Sequence, residues 1–214
     1  MISISGIKYQ KELEAIPYFN KKQAGILIGK KGRNLDDKIF RLKKINYLLN
    51  LKKGLYTTSP YYDTTDKSFY CEYIANILRI PSYISLEYVL AKYNLIPEGV
   101  YPISSITYKS SRSYTNFLGS FSYQNIKRKL FSGFEERKYR TVKIYIAGIA
   151  KALFDYLYLK KLNNLKQEII TDLRINWAEF KKEDLIKFEQ YTKISKSKKM
   201  ETVLKIIKKN INVN

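Results

Sequence analysis

The stretch ILIGKKGRNL, Ile26 to Leu35, permits few local folds. Gly29 and Gly32 interrupt two apolar-periodic segments, so the chain must turn between them. Upstream, Asn20 with Gln23 three residues later has the form of a capping box, which predicts a helix running to about Ile28 with Gly29 as its C-terminal cap. Downstream, Leu35, Ile39 and Leu42 recur at i, i+4 and i+7, which predicts a second helix from about Asn34 to Ile45. Its other face carries Asn34, Lys38, Arg41 and Lys44. YLLNL and GLYTT then read as two short strands joined at Lys52 and Lys53, with Gly54 relieving the turn. A short polar helix over residues 5 to 15, stopped near Pro17, precedes this helix, turn, helix, hairpin order.

Charge says what such a unit would meet. The formal net charge is +21, from 40 Lys and Arg against 19 Asp and Glu, which attracts a polyanion. Residues 20 to 53 alone hold eleven basic side chains against Asp36 and Asp37. Three glycine-loop chemistries compete for Gly29 to Gly32. A Walker A phosphate loop needs four residues between its glycines and a hydroxyl after its lysine; Gly25 and Gly29 enclose three, and Lys31 stands where the hydroxyl should be. IGKKGRNL is similar to the GXXG loop of KH domains, which clamps single-stranded RNA or DNA and would splay bases over the loop. That fold needs a strand before its first helix, where IKYQKELEAIPYF reads as a helix and a breaker. A winged helix-turn-helix suits the order best. In it Lys30, Lys31, Arg33 and Asn34 stand at the turn and the start of the recognition helix, and Lys38, Arg41 and Lys44 extend its face. Arg33 or Asn34 would read bases, while Lys52 and Lys53 at the wing would touch phosphates without sequence preference.

Other residue types exclude whole classes of chemistry. With no histidine, the usual zinc sites, the Ser-His-Asp triad and the Cys-His pair are all absent. The lone Cys71 cannot close an internal disulfide, which suits a reducing compartment. No apolar run reaches the roughly 18 residues of a membrane span, and the first residues lack the order of a signal peptide, so a cytoplasmic protein without a membrane partner is expected. A magnesium-dependent nuclease would have to use Asp155 with Glu179 and Lys181. Asp155 falls in a helical pattern and the triplet in polar helical sequence, so no catalytic residue, metal or cofactor is assigned.

The rest of the chain changes character. SPYYDTTDKS, residues 59 to 68, has the composition of a linker, separating a DNA-binding domain over 1–58 from a second domain over 69–214. Helices are predicted over 70 to 79 and 83 to 93, with Pro81 between them and Ser82, Tyr83 and Ser85 forming the start of the second. The Ser-, Thr- and Tyr-rich run from Pro102 to Ile126 predicts a strand meander turning near Gly119. TVKIYI predicts a further strand, and Ile149, Ala152, Leu153, Tyr156 and Leu157 share one face of a following helix. Residues 164 to 210 read as helical and basic. Lys109, Arg112, Lys127, Arg128 and Lys129 form a possible second basic patch, for flanking DNA, RNA or an acidic partner, with a plain solvated face as the alternative.

An extended likeness joins these pieces. LKKGLYTT, then EYIANILRIPSYISLEYVLAKYNLIPEGVYPISSITYKSSR, then FLGSFSYQNIKRKLFSGF and IYIAGIAKALFDYLYL, in that order, resemble the AbiEi family of antitoxins across nearly the whole chain. The chain departs at AGIAKAL, where many relatives carry a proline and an acidic residue before KAL and this one has Gly148 and Ile149. The resemblance implies an α+β chain: an N-terminal winged helix-turn-helix, then a mixed α/β antitoxin domain with a helical C-terminal region. It implies the antitoxin of a type IV toxin–antitoxin module, whose partner is a nucleotidyltransferase-like toxin. It also implies autorepression through double-stranded promoter DNA with inverted repeats.

Overall fold

The structure, a computed structural model, describes residues 6–99, 102–139 and 142–210. The chain is mixed α+β with a helical C-terminal region. It divides into two compact units: residues to Ile74 together with Tyr114–Gly119, and Ala75–Ser113 together with Ser120 onward.

The first unit runs α1 (Gln10–Ala15), β1 (Phe19–Asn20), α2 (Lys21–Ile28), α3 (Gly32–Lys44), β2 (Leu48–Lys52), β3 (Leu55–Thr58) and α4 (Ser59–Asp63), then the start of α5 (Lys67–Leu78). The capping box is formed: the Gln23 amide donates to the Asn20 side chain and the Asn20 amide to the Gln23 side chain, each at 2.9 Å. Gly29 ends α2 in the left-handed region, φ 77°. Leu35, Ile39 and Leu42 turn inward from α3 onto Leu13, Phe19, Ala24 and Ile28. That stripe places the opposite side of α3 in solvent. The antiparallel sheet has the order β1-β3-β2, pairing Phe19 with Tyr56 and Leu48 with Thr58. Gly54, φ 75°, makes the hairpin turn. The Tyr47 hydroxyl donates to Glu14 at 2.7 Å, and burial together with that bond pushes its pKa well above the ordinary phenol value.

Residues 59 to 68, read above as a linker, are folded. Thr58 caps α4 by accepting from the Tyr61 amide, Pro60 sits in the first turn, and Asp66 accepts from the Phe69 amide where α5 begins. Ser, Thr, Asp and Pro serve both linkers and helix starts, and here they serve helix starts. The division falls after Ile74, inside α5. The 114–119 segment completes the first unit, with the Phe117 ring edge-on to Tyr62 at 5.1 Å and the Asn116 amide donating to the Leu51 carbonyl at 2.9 Å.

A six-stranded sheet, all but the 114–119 residues of which belong to the second unit, comprises β4 (Tyr83–Ile84), β5 (Ile103–Thr107), β6 (Arg112–Asn116), β7 (Gly119–Asn125), β8 (Phe134–Tyr139) and β9 (Val142–Ala147), in the order β6-β7-β5-β4-β9-β8. The expected strands form and turn just before Gly119, with β6 beside β7, but they do not follow one another as a meander, because β7 lies parallel beside β5. Every residue of β5 is buried, as suits an interior strand, whereas β6 has no buried residue and takes the edge. Tyr83 and Ile84, expected as helix, are a fully buried strand between β5 and β9. The helix α6 (Leu86–Lys92) starts only after them, and the Ser85 hydroxyl makes no cap bond. β8 has no counterpart in the expectations above; its FEERKY sequence is that of a charged edge strand, antiparallel to β9.

Helices α7 (Ile149–Leu159), α8 (Leu165–Gln167), α9 (Lys182–Ser195) and α10 (Lys198–Asn210) complete the unit. The expectation of one buried face on α7 falls short, since every residue from Ala150 to Asp155 is buried while Ile149 and Tyr156 are only partly so. Among the described residues no helix is long and apolar enough to cross a membrane.

Candidate nucleic-acid interface

The turn between α2 and α3 is held from below by one carbonyl. The amides of Gly29 and Lys30 both donate to Gly25 O, at 3.0 and 3.1 Å, which winds the last turn tight and throws Lys30 and Lys31 outward. A Cβ at Gly25 would stand 3.2 Å from the Lys30 carbonyl and 3.3 Å from Leu35 Cδ2, so a side chain there would press on the turn. The loop overhangs an open hollow of about 500 Å³ lined by Lys21, Lys22, Gly25, Ile26, Lys30, Lys31, Gly32 and Leu35. No side chain caps the N-terminus of α3. Its first amides and the positive end of its dipole therefore face outward beside Lys31.

The expected site residues divide into two groups. Lys30, Lys31, Arg33, Asn34, Arg41 and Lys44 are all exposed along the loop and α3, and Lys53 is exposed beside Gly54 at the hairpin tip. Lys38 is half-buried on the flank of α3, its Nζ 3.8 Å from where a Cβ of Gly6 would stand. Lys52 is also half-buried, with its ammonium over the Tyr114 ring at 5.8 Å. Beside the loop, Lys21 pairs with Asp36 at 2.5 Å, an exposed contact worth at most about 1 kcal/mol.

Two features went unread in the sequence. Phe40 is 68% exposed in the middle of α3, and Ile26 is 63% exposed at the hollow. A helical projection was enough to find Phe40, which does not belong to the Leu35, Ile39, Leu42 stripe.

In the second unit the 107–109 segment lies beside 125–126, through the Ile126 backbone amide to Thr107 O at 2.9 Å and the Asn125 side-chain Nδ2 to Lys109 O at 2.9 Å. The patch is partly committed internally: Lys109 donates to Ile80 O, Arg128 lies over the Tyr108 ring at 5.4 Å, and Lys129 donates to Ser195 O. Lys127 and Arg112 are exposed. Arg79, not singled out in the sequence, joins the group by donating to the Ser110 carbonyl.

Lys151 and Asp155 on α7 form a buried ion pair, 2.7 Å apart and 1% and 0% exposed. Asp155 also accepts from the Tyr83 and Ser85 hydroxyls, each at 2.9 Å, and Lys151 also donates to Leu130 O at 2.8 Å. Burial raises the Asp155 carboxyl above its ordinary range, against the pull of Lys151 and the two hydroxyls. With its oxygens turned inward onto these partners, Asp155 is not placed to hold a metal at a nucleic-acid surface. Glu179 ends a short 3-10 turn and Lys181 bonds locally to the Ala178 carbonyl.

Comparison of the chain with protein-family models and with curated proteins gave no match.

Proposed function

We propose that this chain is a sequence-selective duplex DNA-binding protein that represses its own promoter, and that it is the antitoxin of a type IV toxin–antitoxin module. The observation that carries the DNA-binding part is the exposed basic surface of the loop and α3. Lys30, Lys31 and Arg33 surround the uncapped start of a thirteen-residue helix whose other side is core. The order α1-β1-α2-α3-β2-β3 with sheet order β1-β3-β2 supports a winged helix-turn-helix, with α3 in the major groove and Lys53 at the wing tip. The antitoxin part rests on the order of the AbiEi-like motifs in the sequence.

Removing Arg33 with Arg33→Ala is expected to weaken binding to duplex from upstream of the gene by about 5- to 150-fold and to relax selectivity at one base pair. Titration by fluorescence anisotropy measures this, and an unchanged Kd would remove α3 as the reading helix. Growth rescue on co-expression with a nucleotidyltransferase-like toxin, where the neighbouring reading frame encodes one, tests the antitoxin role; no rescue from an active toxin would end it.

A second reading is favoured by one observation, the Gly29-Lys30-Lys31-Gly32 loop between two helices. A KH-like module would use that loop on single-stranded RNA. The strand such a module needs before its first helix is here two residues long, and α1 contributes Leu13 to the core. Both features support the winged-helix reading.

A further inference from the structure

We infer that Phe40 reads thymine, through the 5-methyl group exposed in the major groove. The inference rests on the proposal that α3 enters that groove. At about 100° per residue, Arg33, Asp37, Phe40 and Lys44 point roughly 140° to 200° away from the buried Leu35 and so form the outermost stripe of α3. The stripe is not built for phosphate at its centre. Asp37 would repel a phosphate, and the exposed Phe40 ring offers it no donor. The cations lie around that centre: Arg33 and Lys44 toward the two ends, and Arg41 to one side. A helix so arranged sets its cations toward the two phosphate backbones and its middle onto base edges.

Base edges in the major groove offer a ring one apolar partner, the thymine methyl, and a carboxylate two donors, the cytosine N4 and adenine N6 amino groups. Phe40 is 68% exposed and stands outside the core of its own unit, so the ring has surface left to bury on a ligand. The chemical class it selects is therefore a T·A step in duplex DNA, presented from the major groove.

The test compares the duplex from upstream of the gene with the same duplex in which every thymine is replaced by deoxyuridine, which removes only the methyl groups. The intact protein is expected to bind the thymine duplex about fourfold more tightly for each methyl that Phe40 contacts. The variant Phe40→Ala should bind the two duplexes alike while remaining bound through its lysines, and Phe40→Leu should keep part of the preference. Circular dichroism of each variant checks that α3 is intact. Tight duplex binding that ignores the methyl, or a preference that survives in Phe40→Ala, overturns the inference and leaves the DNA-binding reading standing. A wild-type protein that binds neither duplex overturns both.

Discussion

Asp155→Ala is expected to destabilise the protein by about 3–5 kcal/mol, because it leaves the Lys151 ammonium buried without its counter-charge. The same substitution takes the acceptor from the Tyr83 and Ser85 hydroxyls, both in buried residues. Each orphaned hydroxyl adds to the cost. The double replacement Lys151→Met with Asp155→Leu removes the charges together and should recover the part of the loss due to the unpaired ammonium, while the Tyr83 and Ser85 hydroxyls stay without their acceptor. Urea unfolding followed by circular dichroism measures both. A loss below about 1 kcal/mol in Asp155→Ala would show that the pair carries no such role in the core.

The second large effect is a salt dependence. Lys22, Lys30, Lys31, Arg33, Arg41, Lys44 and Lys53 are exposed in the first unit, and binding that engages about six phosphates should weaken about 1000-fold between roughly 50 and 200 mM salt. Lys30→Ala together with Lys31→Ala should lower the slope of log K against log salt by about two, leaving sequence preference largely unchanged. Lys52→Ala should change it little, because that ammonium already lies over Tyr114. A slope shallower than about −2 would mean that this surface does not track a phosphate backbone.

What the sequence made legible followed local rules. Asn20 and Gln23 cap α2, Gly29 closes it, Leu35, Ile39 and Leu42 fix the inner face of α3, and Gly54 turns the hairpin, each a pattern written in residues a few positions apart. The placement of Lys30, Lys31 and Arg33 came with them. What stayed hidden depends on partners far along the chain. Tyr83 and Ile84 are strand because β5 and β9 flank them, and β7 joins β5 in parallel, which alternation in a single segment cannot disclose. β8 was masked by its charges. Lys151 and Asp155 stood at i, i+4 in an apolar helix, a visible pairing, but their burial is set by Tyr83, Ser85 and Leu130, the nearest of them 21 residues away. Lys38 and Lys52 show the same limit at the interface, for a basic side chain near a binding surface can be spent within the fold.

The account turns on duplex recognition by the first unit. The most direct measurement is fluorescence anisotropy of the intact protein with duplex from upstream of its gene, a scrambled duplex and single-stranded RNA, all at one near-physiological salt concentration. The account predicts that the upstream duplex binds most tightly, by a factor on the order of 1000 over the scrambled one. Single-stranded RNA binding more tightly than either duplex would contradict it and hand the Gly29–Gly32 loop to single-strand recognition.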